Sequence, residues 1–150
     1  MRALTALATI GAATATTAPA WAEEVHPGWT LIDGIEREEV ITADSYAVIK
    51  RFPAEVAGGV DEFEIAGYLI PLGFGAETAD WMLVPEAGMC PFCGSSEHGT
   101  AIEVSLAEPL AVDAIGEDAT KRVVLRGALQ TVTDPQTFQA FYMTDARVAG

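Results

Sequence analysis

The chain has 150 residues, with 22 acidic and only 8 basic side chains, and its formal charge is −14 at pH 7. Such a surface repels phosphate backbones, and no basic patch or stripe interrupts it, so nucleic-acid binding is close to excluded. Half of the residues are apolar. This composition and length suit one domain with a hydrophobic core and are too small for two.

The first 22 residues have the pattern of a secretory signal peptide. Arg2 supplies one positive charge, small and apolar residues follow without an acid, and Ala20-Trp21-Ala22 is a small-x-small cleavage site. We therefore expect residues 1–22 to be removed, which leaves residues 23–150 as a single domain with 7 basic and 22 acidic side chains. No later segment approaches the roughly 20 apolar residues of a membrane helix. A periplasmic or secreted location without stable membrane insertion is expected.

Residues 23–60 carry weak structural signals. WTLIDGIEREEV and DSYAVIKRFPAEVAGGV indicate short helical turns and loops, and the Gly58-Gly59 pair is a breaker. His26 lies close to the expected new N-terminus. It is interpreted as an exposed tail residue, because chain termini are usually loosely ordered.

The rest of the chain predicts five strands. They are recognised by period-two alternation of apolar side chains and by β-branched and aromatic enrichment. The five segments are DEFEIAGYLIPLGF, DWMLVPE, TAIEVSLAEPL, KRVVLRGALQTV and TFQAFYMTDARV. Pro71, Pro85 and Pro109 end the first three. The last two are separated by Thr133-Asp134-Pro135 and are predicted to form a hairpin.

Two glycines in the middle of predicted strands indicate how these strands are arranged. Gly67 and Gly127 each lie mid-strand, where glycine usually marks a bulge or a tight bend of a small barrel. We therefore predict a mainly β fold: a small five-stranded OB-like antiparallel barrel, preceded by a short helical N-terminal section. A β-sandwich is the alternative.

Both cysteines of the chain lie in GMCPFCGSSEHG, residues 88–99, between the second and third predicted strands. Cys90 and Cys93, in a Cys-Pro-Phe-Cys-Gly run, have the spacing of a zinc knuckle that directs two sulfurs at one ion. His98 is a candidate third ligand. Glu97 is a candidate fourth ligand, and Glu86 and Asp80 are alternatives to it. A second knuckle is missing, so the pattern is one half-site.

Three other interpretations of this segment remain open. Cu⁺ would be the alternative ion if thioether sulfur from Met82, Met89 or Met143 joined the cysteines. In an oxidising compartment, Cys90 and Cys93 can simply form a small disulfide that stabilises little. A thiol-disulfide redox function would need an activating helix N-terminus. The residues after Cys93 are poor helix formers.

The sequence does not indicate catalysis. The many acidic residues form no recognisable pair for acid-base chemistry, and Ser95-Ser96 beside His98 is too local for a triad. Aromatic side chains near the cysteine segment are interpreted as packing groups: Trp81, Phe92, Phe141 and Tyr142. We expect the protein not to be an enzyme.

Residues 52–145 resemble a family of small exported bacterial proteins of unknown function. That family combines a GY-x-x-PL strand, an LVP-x-x-G-x-C segment and a loop with cysteine and histidine. The matching positions here are Gly67, Tyr68, Pro71, Leu72, Leu83, Val84, Pro85, Gly88 and Cys90. The usual Cys-x-His and proline run of the family is replaced by Cys-Pro-Phe-Cys-Gly and a later His98. The cysteine itself is the shared ligand candidate.

The resemblance implies a role in metal homeostasis, since members are often encoded near ABC-transporter components and periplasmic zinc-handling proteins. Together with the knuckle pattern, it leads us to expect a non-catalytic zinc carrier or transporter accessory. Its possible partner is an ABC-transporter component or another periplasmic protein. The alternatives are an OB-like partner-binding module with a structural Cys90–Cys93 disulfide, and a redox protein.

Overall fold

The computed structural model describes residues 25–89, 101–115 and 121–150. Within them lie a short helix, seven strands and a 3₁₀ turn. Their bounds are α1 (Pro27–Asp33), β1 (Glu36–Ile41), β2 (Tyr46–Arg51), β3 (Val60–Pro71), β4 (Glu77–Val84), β5 (Ile102–Ala111), the 3₁₀ turn Val112–Ile115, β6 (Arg122–Thr131) and β7 (Phe141–Val148). The predicted mainly β fold with one short helix is confirmed.

The strands β3 to β7 form a closed barrel in the order β3-β4-β5-β7-β6. Neighbouring strands are antiparallel except β5 and β7, which run parallel, with Val104 opposite Met143. A closed ring with an odd number of strands cannot alternate direction throughout, so at least one pair must be parallel. The predicted five-stranded barrel is therefore confirmed and is consistent with an OB-like fold. Its wholly antiparallel form is corrected to a mixed one.

The two mid-strand glycines lie where the barrel backbone is most crowded. A Cβ atom on Gly127 would stand 2.7 Å from the Cα atom of Ala146 and 2.8 Å from the backbone oxygen of Thr144. The β6–β7 register shifts at this point, between Arg126 and Ala128. On Gly67, a Cβ atom would clash with the backbone oxygen of Val84. Both positions need glycine because no side chain fits between the strands.

The barrel interior is filled by alternate side chains of its strands. Ile65 and Leu69 of β3 are fully buried, and they are flanked by the exposed Glu64 and by the half-buried Tyr68 and Ile70. The fully buried side chains of the other strands include Trp81, Leu83, Ile102, Leu125 and Leu129. Burial of such a side chain contributes about 1.5–3 kcal/mol relative to exposure, so the barrel carries most of the hydrophobic stabilisation.

The short helix α1 is fixed to β3. It begins with Pro27 at a position that tolerates a missing N–H and ends at Gly34. Trp29 is buried, and its indole Nε1 donates a hydrogen bond of 2.8 Å to the backbone oxygen of Ala66. The helix is therefore packed against β3 beside Gly67, and Trp29 and Ile32 join the hydrophobic core.

The strands β1 and β2 form a separate two-stranded antiparallel sheet, with Glu36 opposite Arg51 and Ile41 opposite Tyr46. The prediction of helical turns and loops is correct for 27–33 and wrong for these two segments. Almost every β1 side chain is exposed, so no alternation between a buried and an exposed face marks the strand in the sequence. The hairpin is fixed to the β6–β7 connection, where the Val48 backbone N–H donates to the Pro135 oxygen at 2.8 Å.

Candidate functional site

The predicted metal ligands Cys90, Cys93, Glu97 and His98 lie outside the described residues. What the structure defines is the frame on either side of them. Leu83 of β4 is paired directly with Ile102 of β5. The ends of the connection that carries the cysteines are thus fixed to neighbouring strands of one rigid sheet. The coordination set itself stays a prediction.

Two described carboxylates were considered as a fourth ligand, and they differ in position. Glu86 lies in a turn directly after β4, where the Met89 backbone N–H donates a hydrogen bond of 3.4 Å to the Glu86 backbone oxygen. Asp80 is paired with Ser105, three pairs away from Leu83 and Ile102. Three residues of extended strand span about 10 Å. Glu86 is therefore the better placed of the two. Residues 25–89, 101–115 and 121–150 contain no cluster of three or more potential metal ligands.

An apolar cavity of about 850 Å³ lies next to the last described residue before the cysteines. Its walls are formed by the C-terminal half of β3, by β4, by Gly88 and Met89, and by residues 111–115. Its described lining side chains are mainly apolar or aromatic and include Tyr68, Ile70, Trp81, Val84, Met89 and Val112. Glu77 and Asp113 are the two charged residues in the described part of this lining.

The cavity follows from an irregularity in the β4–β5 pairing. Thr78 is paired with Leu110, whereas Asp80 is paired with Ser105, so β5 has extra residues in between. Pro109 lies in this bulge, as expected for a proline in a strand. The sequence predicts a strand that stops at Pro109, but β5 continues to Ala111. After the bulge, Leu110 and Ala111 are paired again with Thr78 and Glu77, and Ala111 leads into residues 112–115 of the cavity wall.

A second, smaller cleft of about 230 Å³ lies on the outer face of β4 and β5. Leu72, Asp80, Glu103 and Tyr142 line it. OB-type barrels commonly bind their ligands on the face of their second and third strands, which correspond here to β4 and β5. Acidic side chains at this position disfavour a phosphate backbone.

The aromatic residues divide into packing groups and exposed groups. Trp81 and Phe141 are buried, as predicted, whereas Tyr142 is 37 % exposed and was wrongly interpreted as packing. Phe74 is fully exposed in the β3–β4 connection, a feature that the sequence interpretation missed. Phe92 lies outside the described residues.

The three methionines considered as Cu⁺ ligands have different surroundings. Met143 belongs to the hydrophobic core and is 1 % exposed, so its thioether is a packing group. Met82 is half-buried on β4, and Met89 lines the apolar cavity. Of the three, Met89 is nearest in sequence to Cys90, and it is the thioether that a copper site would most readily recruit.

His26 is not an exposed tail residue, in contrast to the prediction. It caps α1: its Nδ1 accepts a hydrogen bond of 3.1 Å from the Gly28 N–H. Its Nε2 lies 3.9 Å from a carboxylate oxygen of Glu64, which is itself paired with Arg126. The first N–H groups of a helix need a hydrogen-bond acceptor, and Pro27 marks the start of a helix. The position of His26 directly before Pro27 was therefore the sequence signal for this capping role.

Comparison with known protein families, curated proteins and solved structures gives no match to this chain. The family resemblance of residues 52–145 therefore stays a prediction. Over the described parts of the chain, no helix combines the length and the apolar character needed to cross a bilayer.

Proposed function

We propose that the protein is a periplasmic, non-catalytic metal-binding protein, a zinc carrier or an accessory to a transporter. Cys90 and Cys93 would provide thiolate ligands, His98 an imidazole and Glu97 a carboxylate. Zinc favours sulfur and nitrogen ligands in tetrahedral geometry, and this set supplies them within nine residues. Cu⁺ is the alternative ion, with Met89 as the additional soft ligand.

The observation that carries the proposal is the position of the two cysteines between paired strands. Pairing of Leu83 with Ile102 fixes both ends of the connection, so ligation would not have to order two distant parts of the chain. A preformed frame lowers the entropy cost of assembling a site. The acidic surface, with its formal charge of −14, would also attract cations toward the protein.

The direct test is the metal content of the freshly isolated protein, measured by native mass spectrometry under reducing conditions. We expect one zinc ion per chain, lost in Cys93→Ser and retained in Ser96→Ala, a matched control in the same segment. Binding should weaken as the pH falls, because protons compete with the metal for sulfur and imidazole. Equal metal content in the wild type and in Cys93→Ser would contradict the proposal.

The same measurement, repeated on protein purified under oxidising conditions, separates the other interpretations of the cysteines. A mass decrease of about 2 Da without metal would indicate a Cys90–Cys93 disulfide, and fast exchange with a small disulfide would indicate a redox protein. Either result with no bound metal would overturn the carrier function.

A partner-binding module is the second candidate, and exposed aromatic side chains favour it. Phe74 lies in the β3–β4 connection and Phe138 in the β6–β7 connection, and Phe138 is 50 % exposed. These connections correspond to the two loops with which OB-type barrels commonly contact ligands. A photo-reactive amino acid at position 74 should give a discrete cross-linked product in the cell, whereas one at position 44, in the β1–β2 turn, should not. No product at either position would contradict this function.

A further inference from the structure

The apolar cavity at the end of β3 and β4 has the dimensions of a small-molecule site. Its volume of about 850 Å³ falls within the roughly 300–1,000 Å³ of known ligand pockets, which are typically apolar with a few polar groups. The mouths of β-barrels are among the places where such sites occur. The described lining shares one residue with the proposed metal sites, Met89 of the copper alternative.

Backbone and indole groups in the wall are already used in internal hydrogen bonds. The Trp81 indole Nε1 donates to the Thr78 oxygen at 2.9 Å, and the Val112 N–H donates to the Ala76 oxygen at 2.9 Å. These two N–H groups already donate within the protein and are not free to bind a ligand. Among the described lining residues, recognition of a charged ligand group falls to the carboxylates of Glu77 and Asp113.

The two carboxylates belong to the same end of the cavity. Glu77 is paired with Ala111 across β4 and β5, and Asp113 follows Ala111 by two residues. Both side chains are exposed, and no lysine or arginine occurs in the described part of the lining. This end of the cavity is negatively charged and attracts a cation.

The opposite end is apolar. Tyr68 and Val84 are paired there, and Met89 lies close by in the chain. Glu77 and Val84 are the first and last residues of β4, so these ends are about 23 Å apart along an extended strand. The cavity is thus polarised along β4, with an acidic end and an apolar end.

We propose that this cavity binds a small amphiphilic cation, an ammonium group attached to an aliphatic or aromatic body. The ammonium group lies between Glu77 and Asp113, and the apolar body extends along the half-buried side chain of Ile70 toward Tyr68 and Met89. Desolvation of the body supplies most of the affinity, and the carboxylates select the charge. The site is independent of the metal proposal, and either can fail while the other holds.

Isothermal titration calorimetry with three ten-carbon probes tests the site. The probes are decyltrimethylammonium, decyldimethylamine oxide and decyl sulfate, each below its micelle-forming concentration. We expect saturable binding of one decyltrimethylammonium per chain, about five- to tenfold weaker binding of the neutral amine oxide, and the weakest binding of decyl sulfate. Equal affinity for the three head groups, or no saturable binding of any, would overturn the proposal.

The double variant Glu77→Gln/Asp113→Asn locates the head group. It should weaken binding of the cation about five- to tenfold and leave binding of the amine oxide unchanged. Asp44→Asn/Glu55→Gln is the matched control, because it removes the same charge from exposed residues outside the lining. If the control variant weakens binding of decyltrimethylammonium to the same extent, the attraction comes from the overall charge of the protein and the proposal is wrong.

A third variant locates the apolar body. Ala76→Trp adds a large side chain at an exposed position of the lining and should weaken both the cationic and the neutral probe. Circular dichroism establishes that the variant keeps its β structure. Unchanged binding of both probes in the folded variant would place them elsewhere and would overturn the proposal.

Discussion

Each strand of the barrel is paired on both sides, whereas β1 is paired with β2 alone. The barrel strands share a core of fully buried side chains, but β1 buries almost no surface. An isolated two-stranded hairpin is marginally stable in water. The hairpin must therefore depend on its contacts with the β6–β7 connection. The comparison indicates that apolar burial stabilises the barrel, whereas the hairpin buries one apolar side chain, Val48, and is positioned mainly by polar contacts.

The largest expected effect comes from removing a core side chain of the barrel. Trp81 is fully buried on β4, so Trp81→Ala should lower the free energy of unfolding by about 3–5 kcal/mol through lost burial and a new void. Urea unfolding followed by circular dichroism measures the change. The control is Tyr142→Ala, an exposed aromatic position, where we expect a loss below about 1 kcal/mol. Equal losses in both variants would refute the assignment of stability to the core.

A second variant adds one atom where two barrel strands meet. In Gly127→Ala the new Cβ would lie 2.7 Å from the Cα of Ala146, against backbone that cannot move aside without distorting β7. We expect a loss of about 1–3 kcal/mol in urea unfolding. Gly58→Ala is the control, since a Cβ there has no heavy atom within 4 Å. A tolerated Gly127→Ala would show that the strands are less closely packed than described.

The next prediction concerns the ammonium group that holds the hairpin. Lys50 Nζ donates to the backbone oxygens of Val132, Asp134 and Gln139 at 3.0, 2.8 and 2.5 Å. Burial lowers the pKa of Lys50, partly opposed by Asp134. The ordinary pKa of lysine lies so far above 7 that the group remains charged. Lys50→Met should lower the free energy of opening of the hairpin by about 1.5–3 kcal/mol, because charge-assisted hydrogen bonds are lost.

Hydrogen exchange measures this local effect. Amides of residues 36–51 should exchange faster in Lys50→Met, while those of β3 and β6 keep their protection. Arg51→Met is the control, since the ion pairs of Arg51 among the described residues, with Glu36 and Glu38, are exposed and worth about 0–1 kcal/mol. Faster exchange throughout the barrel in Lys50→Met would contradict the separation of the two regions.

The same contrast explains how much of the fold could be predicted from the sequence. The barrel strands were recognisable because core burial imposes alternation, as in Ile65 and Leu69, and because close strand contacts impose Gly67 and Gly127. The hairpin was missed because its charged and apolar side chains are mostly exposed and follow no such pattern. Its main contacts, from Lys50, reach residues more than 80 positions away. The periodicity of a sequence reflects local structure and cannot reveal such distant contacts.

The candidate sites show the same limit. The cysteine spacing was visible in the sequence, and its metal ligation remains a prediction. The apolar cavity was not visible, because it depends on the register shift between Thr78 and Asp80 and on the continuation of β5 beyond Pro109. Proline inside an otherwise regular strand was the one signal for that bulge. Local patterns identify ligand types, whereas cavities depend on how strands are paired.

The smallest expected effect concerns a further contact between the hairpin and the β6–β7 connection. The Arg37 guanidinium lies 5.2 Å from the centroid of the Phe138 ring. Burial lowers the pKa of Arg37, an effect that Asp33 opposes. Its Nε has no hydrogen-bond partner among the described residues, so the ring face is a favourable surface for the cation.

Phe138→Leu removes the π face but keeps an apolar side chain, and should cost about 0.5–1 kcal/mol in the opening free energy of the hairpin. Phe138→Tyr keeps the π face and should be close to wild type. Hydrogen exchange of β1 amides compares the two variants. Equal exchange in both would mean that Arg37 contributes nothing through the ring. The hairpin would then be held by Lys50, by the Val48–Pro135 hydrogen bond and by the Gln136 Nε2 hydrogen bond to the Tyr46 backbone oxygen.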